Sequence, residues 1–195
     1  MTIRERLEAF WSGNRPDRIP HTIYQNEWRH TADDPAWLPM YGQGLGVTWL
    51  FQSFRENTSG VDMSESTYIE SGNRVVCRSQ ETSVGRITAV WTDGWQTEYW
   101  LENPEDYRVM TDIVRCTAIT PDYDGYLACE RELPPHGIAL VHMGRTPLQT
   151  ILVDLAGAEN FAWHLYEYEE HVHELYDALF TNFRRITEII AACRA

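Results

Sequence analysis

Residues Gly137–Ile190 read GIALVHMGRTPLQTILVDLAGAENFAWHLYEYEEHVHELYDALFTNFRRITEII. Ile138–His142 is a short apolar run with the length of a buried strand. A polar turn, Gly144-Arg145-Thr146-Pro147, follows it, and a long helical region comes next. Strand, turn and helix in that order make one β/α step of a barrel or a doubly wound sheet. Pro147–Ala156 forms the first helical piece, Gly157 breaks it, and Ala158–Glu167 forms the second. The last helix is expected over Glu169–Ala192. There Val172, Leu175, Leu179, Phe183, Ile186 and Ile190 recur at helical spacing and set one face on a core. Ala195 comes one helix after this step, so the expectation is only the first part of a β/α enzyme.

Upstream of this stretch, Tyr123–Leu133 reads as a shorter helix closed by Pro134-Pro135-His136-Gly137. Asn103-Pro104-Glu105-Asp106 starts another: Asn caps, Pro takes the first turn, and two acids meet the positive end of the dipole. Its buried face is Tyr107, Met110, Ile113 and Val114, and Pro121 ends it. Before it lies an expected meander of Tyr68–Glu70, Arg74–Gln80, Val84–Trp91 and Gln96–Leu101. Ser71-Gly72-Asn73 and Asp93-Gly94 supply its turns. Val47–Phe54 is a β-branched and aromatic strand, and Gln25–Gly46 is loop-like. Arg18–Tyr24 is the first strand, with Pro20 suited to its beginning. Thr2-Ile3-Arg4-Glu5 is a capping box, Ile3, Leu7 and Phe10 share a face, and Gly13-Asn14 ends that helix. No repeat or linker interrupts the chain, so residues 1–195 are read as one domain.

The chain has 195 residues, whereas a complete (β/α)8 barrel typically takes about 250. Its 16 basic and 29 acidic residues give a net charge of −13, which disfavours nucleic acid as a partner. Eight Trp and ten Tyr supply either a bulky core or an aromatic pocket for a flat ligand. No stretch approaches the roughly 18 apolar residues of a membrane span, and the charged N-terminus is no signal peptide, so a cytoplasmic protein is expected. Cys77, Cys116, Cys129 and Cys193 form no CxxC pair and read as reduced thiols.

The opening TIRERLEAFWSGNRPDRIPHTIY resembles the N-terminal signature of the uroporphyrinogen decarboxylase superfamily: a helix, a Gly-Asn turn, then Pro-Asp-Arg-Ile-Pro leading into strand one. The meander ending in GWQTEYWLENPEDY is similar to a segment of its broader members. ALVHMGRTPLQTILVDLAGAENFAWHLYEYEEHV is similar to the third strand and the helices after it. The resemblance implies an α/β fold: the N-terminal part of a (β/α)8 TIM barrel, incomplete, with an inserted antiparallel β-meander. The superfamily contains cofactor-free decarboxylases and cobalamin-dependent methyltransferases. The decarboxylases carry an arginine-rich Met-Arg-Gln-Ala-Gly-Arg-Tyr motif after strand one, where this chain has TIYQNEWRH and only Arg29 nearby. VTWLFQSF likewise lacks the aspartate that resembles their pyrrole-binding residue. The resemblance therefore implies methyl transfer between a methylated small molecule and a corrinoid. The alternatives are a decarboxylase-like enzyme on a small carboxylated substrate and a non-catalytic split subunit. Zinc and a corrinoid are implied for the complete enzyme, the zinc held by a His-x-Cys pair and a later Cys. This chain has no His-x-Cys and is expected to bind neither cofactor alone. The implied partners are a small-molecule substrate, a corrinoid protein, and either a chain carrying the C-terminal barrel half or a second copy.

In a barrel, active groups gather at the C-terminal ends of the strands. That rule selects Tyr24, Gln25, Asn26 and Trp28 after strand one, to bond and stack on substrate, or else to form an ordinary polar loop. It selects Gln52 with Phe51 and Phe54 after strand two; the other reading is core aromatics with Gln52 capping a loop. At the third strand, His142 is the candidate catalytic acid or base, or else a core histidine bonded to backbone. Arg145 is a grip for a carboxylate or phosphate, or else the ion-pair partner of Asp154 or Glu159. His171 and His173 lie about 200° apart on a helix and make no metal pair. No glycine-rich phosphate loop and no Gly-x-Ser-x-Gly elbow is present.

Overall fold

A computed structural model describes residues 1–27 and 33–193. The strands in chain order are β1 His21–Tyr24, β2 Leu45–Phe51, β3 Phe54–Thr58, β4 Asp62–Glu70, β5 Asn73–Glu81, β6 Arg86–Thr92, β7 Trp95–Glu98, β8 Thr117–Pro121 and β9 Gly137–Val141. The helices are α1 Ile3–Trp11, α2 Leu38–Gly42, α3 Pro104–Arg115, α4 Tyr123–Arg131, α5 Pro147–Gln149, α6 Ala158–Glu167 and α7 Glu169–Ala192. A π-helix, Thr150–Leu155, lies between α5 and α6. The residues treated in sequence as one domain group into two compact units. One comprises Met1–Phe54, Pro121–His142 and Ile190–Ala195; the other comprises Arg55–Thr120 and Met143–Ile189.

The first unit holds a three-stranded parallel sheet in the order β1-β2-β9. Ile23 lies beside Val47, and Leu50 beside Leu140. Parallel neighbours need a long crossover, and the sequence supplies one between each pair. Helix α1 packs on β2 and β9. It begins as expected: Thr2 Oγ1 accepts from the Glu5 amide at 3.2 Å, and the Thr2 amide donates to the Glu5 carboxylate at 2.7 Å. Gly46 is the contact that brings α1 close, because a Cβ there would lie 2.9 Å from Leu7 Cδ1. Leu7 and Val47 are accordingly buried. Arg6 on the same helix is buried as well, and its guanidinium meets Asp17 at 2.6 and 3.0 Å. That bond holds the Asp17 carboxyl well below the usual carboxylate range. The pair's contribution is therefore complete above the ordinary carboxylate pKa and is lost only as the pH falls beneath it.

The expected strand Val47–Phe54 divides in two. β2 ends at Phe51, and β3 starts at Phe54 in a separate pairing with β8. Only Gln52 and Ser53 interrupt the run at this point, an interruption too short to end a strand on hydropathy alone. The fully buried Ser53 marks it, its carbonyl accepting from the Asp122 amide at 2.8 Å. β8, absent from the sequence reading, contains two threonines in five residues, and a threonine bridge joins it to β3: Thr58 Oγ1 and Thr117 Oγ1 lie 2.8 Å apart.

The second unit contains the meander, an antiparallel sheet in the order β4-β5-β6-β7. Its two tight turns have positive φ at both central residues: Ser71 at 50° and Gly72 at 87°, Asp93 at 50° and Gly94 at 88°. Those angles match the right-handed twist of a hairpin, as Ser-Gly and Asp-Gly foretell. β4 begins at Asp62 instead of Tyr68, and all nine of its residues are exposed. Its Ser, Glu and Thr residues conceal the strand because neither face is buried. Ile87 and Ala89 of β6 join Val109, Met110 and Ile113 of α3 and Leu175 of α7 in the core. Asn103 caps α3 as expected, accepting from the Glu105 and Asp106 amides at 3.0 and 3.2 Å. The expected helix Pro147–Ala156 is instead one turn of α5 followed by the π-helix. Gly157 ends it with φ 75° and ψ 156°, a region other residues rarely enter. A Cβ there would also lie 2.6 Å from the Tyr99 ring. Gly157→Ala is expected to cost about 1–3 kcal/mol for backbone strain, read as a lower urea midpoint. A midpoint equal to that of the parent would show that this turn relaxes freely.

One polar pair lies inside the second unit's core. Tyr107 Oη and His164 Nδ1 are 3.0 Å apart, and both side chains are buried. Burial pushes the His164 imidazole below its ordinary 6.5, outweighing the opposite pull of the Glu102 backbone and Asp106. The unfolded chain then binds the proton first as pH falls. Stability is complete above 6.5 and declines as pH drops from there toward the lowered folded value. Urea midpoints at about pH 7.5 and 5.5 are expected to differ less in His164→Gln than in the parent. An unchanged difference would remove His164 as a source of the slope.

Among the described residues the chain is mixed α/β, with one parallel sheet and antiparallel sheets. Among the described residues there is no closed barrel. No described helix is long and apolar enough to cross a membrane.

Candidate functional site

The parallel sheet brings three of the sequence candidates to one edge. Tyr24 ends β1, Gln52 follows β2, and His142 follows β9, so all three stand at the carboxyl ends of neighbouring strands. The register makes this local: Tyr24 pairs with Thr48, and Phe51 with Val141. Tyr24, Gln52 and His142 are exposed, as side chains that meet a ligand must be. The His142 amide donates to the Phe51 carbonyl at 2.8 Å, which fixes its backbone and leaves the imidazole to solvent. His142 is therefore not a core histidine. Gln25 has a positioning part: its Oε1 accepts from the Leu50 amide at 3.3 Å and ties the loop after β1 to β2. Asn26 is exposed in the helical turn that follows. Trp28 lies outside the described residues. Phe51 is half-buried and Phe54 buried, as core aromatics are.

Arg145 belongs to the second unit and pairs there with Asp154. Its Nε lies 3.1 and 2.9 Å from the two carboxylate oxygens. The π-helix carries Asp154, and π-turns concentrate at functional sites. Gly144, at φ 77°, turns the chain just before Arg145. The Thr146–Gln149 capping box then starts α5: Thr146 Oγ1 accepts from the Gln149 amide at 3.4 Å. This loop borders a cavity of about 250 Å³. Leu179, Phe183 and Ile186 of α7 with Val114 of α3 supply apolar wall, and Glu56, Arg145 and Asn182 supply polar groups. Asn182 is anchored, its Nδ2 donating to the Val114 carbonyl at 2.9 Å.

Glu56, Thr150 and Asn182 were not among the candidates named from sequence. Asn182 could have been, because it is a polar residue between Leu179, Phe183 and Ile186 on a helix face otherwise read as core. Nothing in the local sequence marks Glu56. His173 is exposed and His171 half-buried on α7. All four cysteines are free thiols. Among the described residues no three His, Cys, Asp or Glu side chains gather as a metal site. The described residues therefore offer no ligand set for a zinc ion.

Comparison of the chain with protein-family models, with curated proteins and with solved structures finds no match in any of the three.

Proposed function

We propose that this chain carries the first three strands of a uroporphyrinogen-decarboxylase-like (β/α)8 barrel, and that its strand ends contribute to methyl transfer between a methylated small molecule and a corrinoid protein. One observation supports this most: β1, β2 and β9 are parallel, adjacent and in chain order, with Tyr24, Gln25, Gln52 and His142 at or just beyond their carboxyl ends. Successive parallel strands in chain order are how such a ring begins, and barrel enzymes place their chemistry at that end. β1 and β9 each have a neighbour on one side only among the described residues, as strands of an unclosed ring do. In this reading the corrinoid supplies the methyl-carrying metal centre. Tyr24 and Gln52 bind and orient the substrate, Gln25 holds the loop, and the His142 imidazole acts as the general acid or base.

A decarboxylase-like reaction on a small carboxylated substrate is the second reading. It is favoured by Arg145, whose Nη groups bond no described residue while Nε is held by Asp154.

Reconstitution tests these readings. The chain is combined with a polypeptide supplying later barrel strands and with a corrinoid protein, and methylated amines or aryl ethers are offered. Methyl transfer that requires both polypeptides is the expected result. Full activity from a monomer of this chain would overturn the shared barrel. Carbon dioxide release without methyl transfer would select the decarboxylase, and neither product would select a non-catalytic subunit.

A further inference from the structure

We infer that the cavity of the second unit binds a small zwitterion with an apolar body, of the class of a hydrophobic amino acid. The inference is independent of the methyl-transfer proposal, because binding is read on this chain alone.

Size comes first. The cavity holds about 250 Å³. Drug-sized ligands occupy roughly 300–1,000 Å³, so this one suits a molecule of amino-acid size. The walls come second. Leu179, Phe183 and Ile186 belong to an amphipathic helix, yet Leu179 and Phe183 are only half-buried. Both line the cavity, where an apolar ligand would remove part of their surface from water.

Charge decides the class. Arg145 and Glu56 both line the cavity, one cation and one anion. Arg145 is fixed through Nε by both oxygens of Asp154. Its two Nη groups bond no described residue, so the outer fork of the guanidinium is available to a carboxylate. Glu56 forms no ion pair with any described residue, and Asn182 offers Oδ1 beside the apolar wall while its Nδ2 is held by Val114. These acceptors match an ammonium group. A simple anion would meet Arg145 with its charge already offset by Asp154 and would face Glu56 as well. A simple cation would leave the Arg145 fork unused. Only a ligand with both charges satisfies the rim.

Isothermal titration calorimetry with three probes tests this. L-Phenylalanine carries both charges, 3-phenylpropanoate only the carboxylate, and 2-phenylethylamine only the ammonium. L-Phenylalanine is expected to bind with a Kd of about 1 mM or tighter, and each single-charge probe about tenfold more weakly or worse. Arg145→Gln is expected to reduce phenylalanine to the affinity of the amine, and Glu56→Gln to that of the carboxylate. Both residues are exposed, so circular dichroism should report parent-like folding. No phenylalanine binding at about 10 mM, equal binding of all three probes, or parent-like affinity in both variants would each overturn the assignment.

Discussion

Replacing Leu175 with alanine is expected to destabilise the second unit by about 2–5 kcal/mol. Leu175 has no exposed surface and sits in the cluster that joins α7 to α3 and β6. Truncation removes its branched end from contact with these neighbours and leaves a void. The surrounding helices can close that void only in part, so a cavity cost adds to the lost transfer energy. Urea titration followed by circular dichroism measures the effect as a drop in midpoint. Tyr166→Ala provides the contrast: Tyr166 is 82 % exposed and its loss should change stability by less than about 0.5 kcal/mol. A Leu175→Ala cost below about 1 kcal/mol would mean that this core is loosely filled.

The second large effect concerns chemistry. In the reconstituted enzyme His142→Ala is expected to lower turnover about 100-fold, the contribution of one general acid or base. The substrate's KM should change little, because proton transfer is made in the transition state and binding is not. His142→Gln keeps a hydrogen-bonding side chain but moves no proton near neutral pH, so it should be equally slow. Folding should survive both changes, since the side chain is exposed and the bond to Phe51 uses only the backbone. Turnover within about twofold of the parent would remove His142 from the proton-transfer role.

The boundaries of the structure were legible where local chemistry sets them. Thr2 and Asn103 cap their helices, and Ser71-Gly72 and Asp93-Gly94 turn their hairpins through φ angles that few residues accept. Ala158–Glu167 and Glu169–Ala192 start and stop where sequence places them. Long-range pairing was less legible. Nothing near Thr117 announces that it will bridge to Thr58, and the short polar pair Gln52-Ser53 does not say that the ladder has changed partners by Phe54. The π-helix was hidden too, since Thr150–Leu155 carries an ordinary apolar helical pattern.

The candidate site divides in the same way. Strand ends can be read from sequence, so His142, Gln52 and Tyr24 stand at the strand ends where the sequence places them. Their adjacency depends on β1 and β9 flanking β2, which only the register reveals. On α7 the reading was nearly right, and its error is informative. Val172, Leu175 and Ile186 are buried as expected, but Leu179 and Phe183 are not fully covered and Ala178 and Ile189 are buried in addition. A periodic stripe reports which side of a helix is apolar. It does not report whether that side meets protein or an opening.

The long outer strand β4 has a consequence for how copies of this chain meet. Its outer side pairs with no other described strand, and Met63, Tyr68 and Ile69 stand exposed along it. Two such strands laid head to tail would bring Asp62 of one against Glu70 of the other at both ends of the ribbon. Those like charges act as a guard against fibre growth. Replacing both with neutral residues would lower the guard and leave a sticky β-ribbon exposed to its own kind.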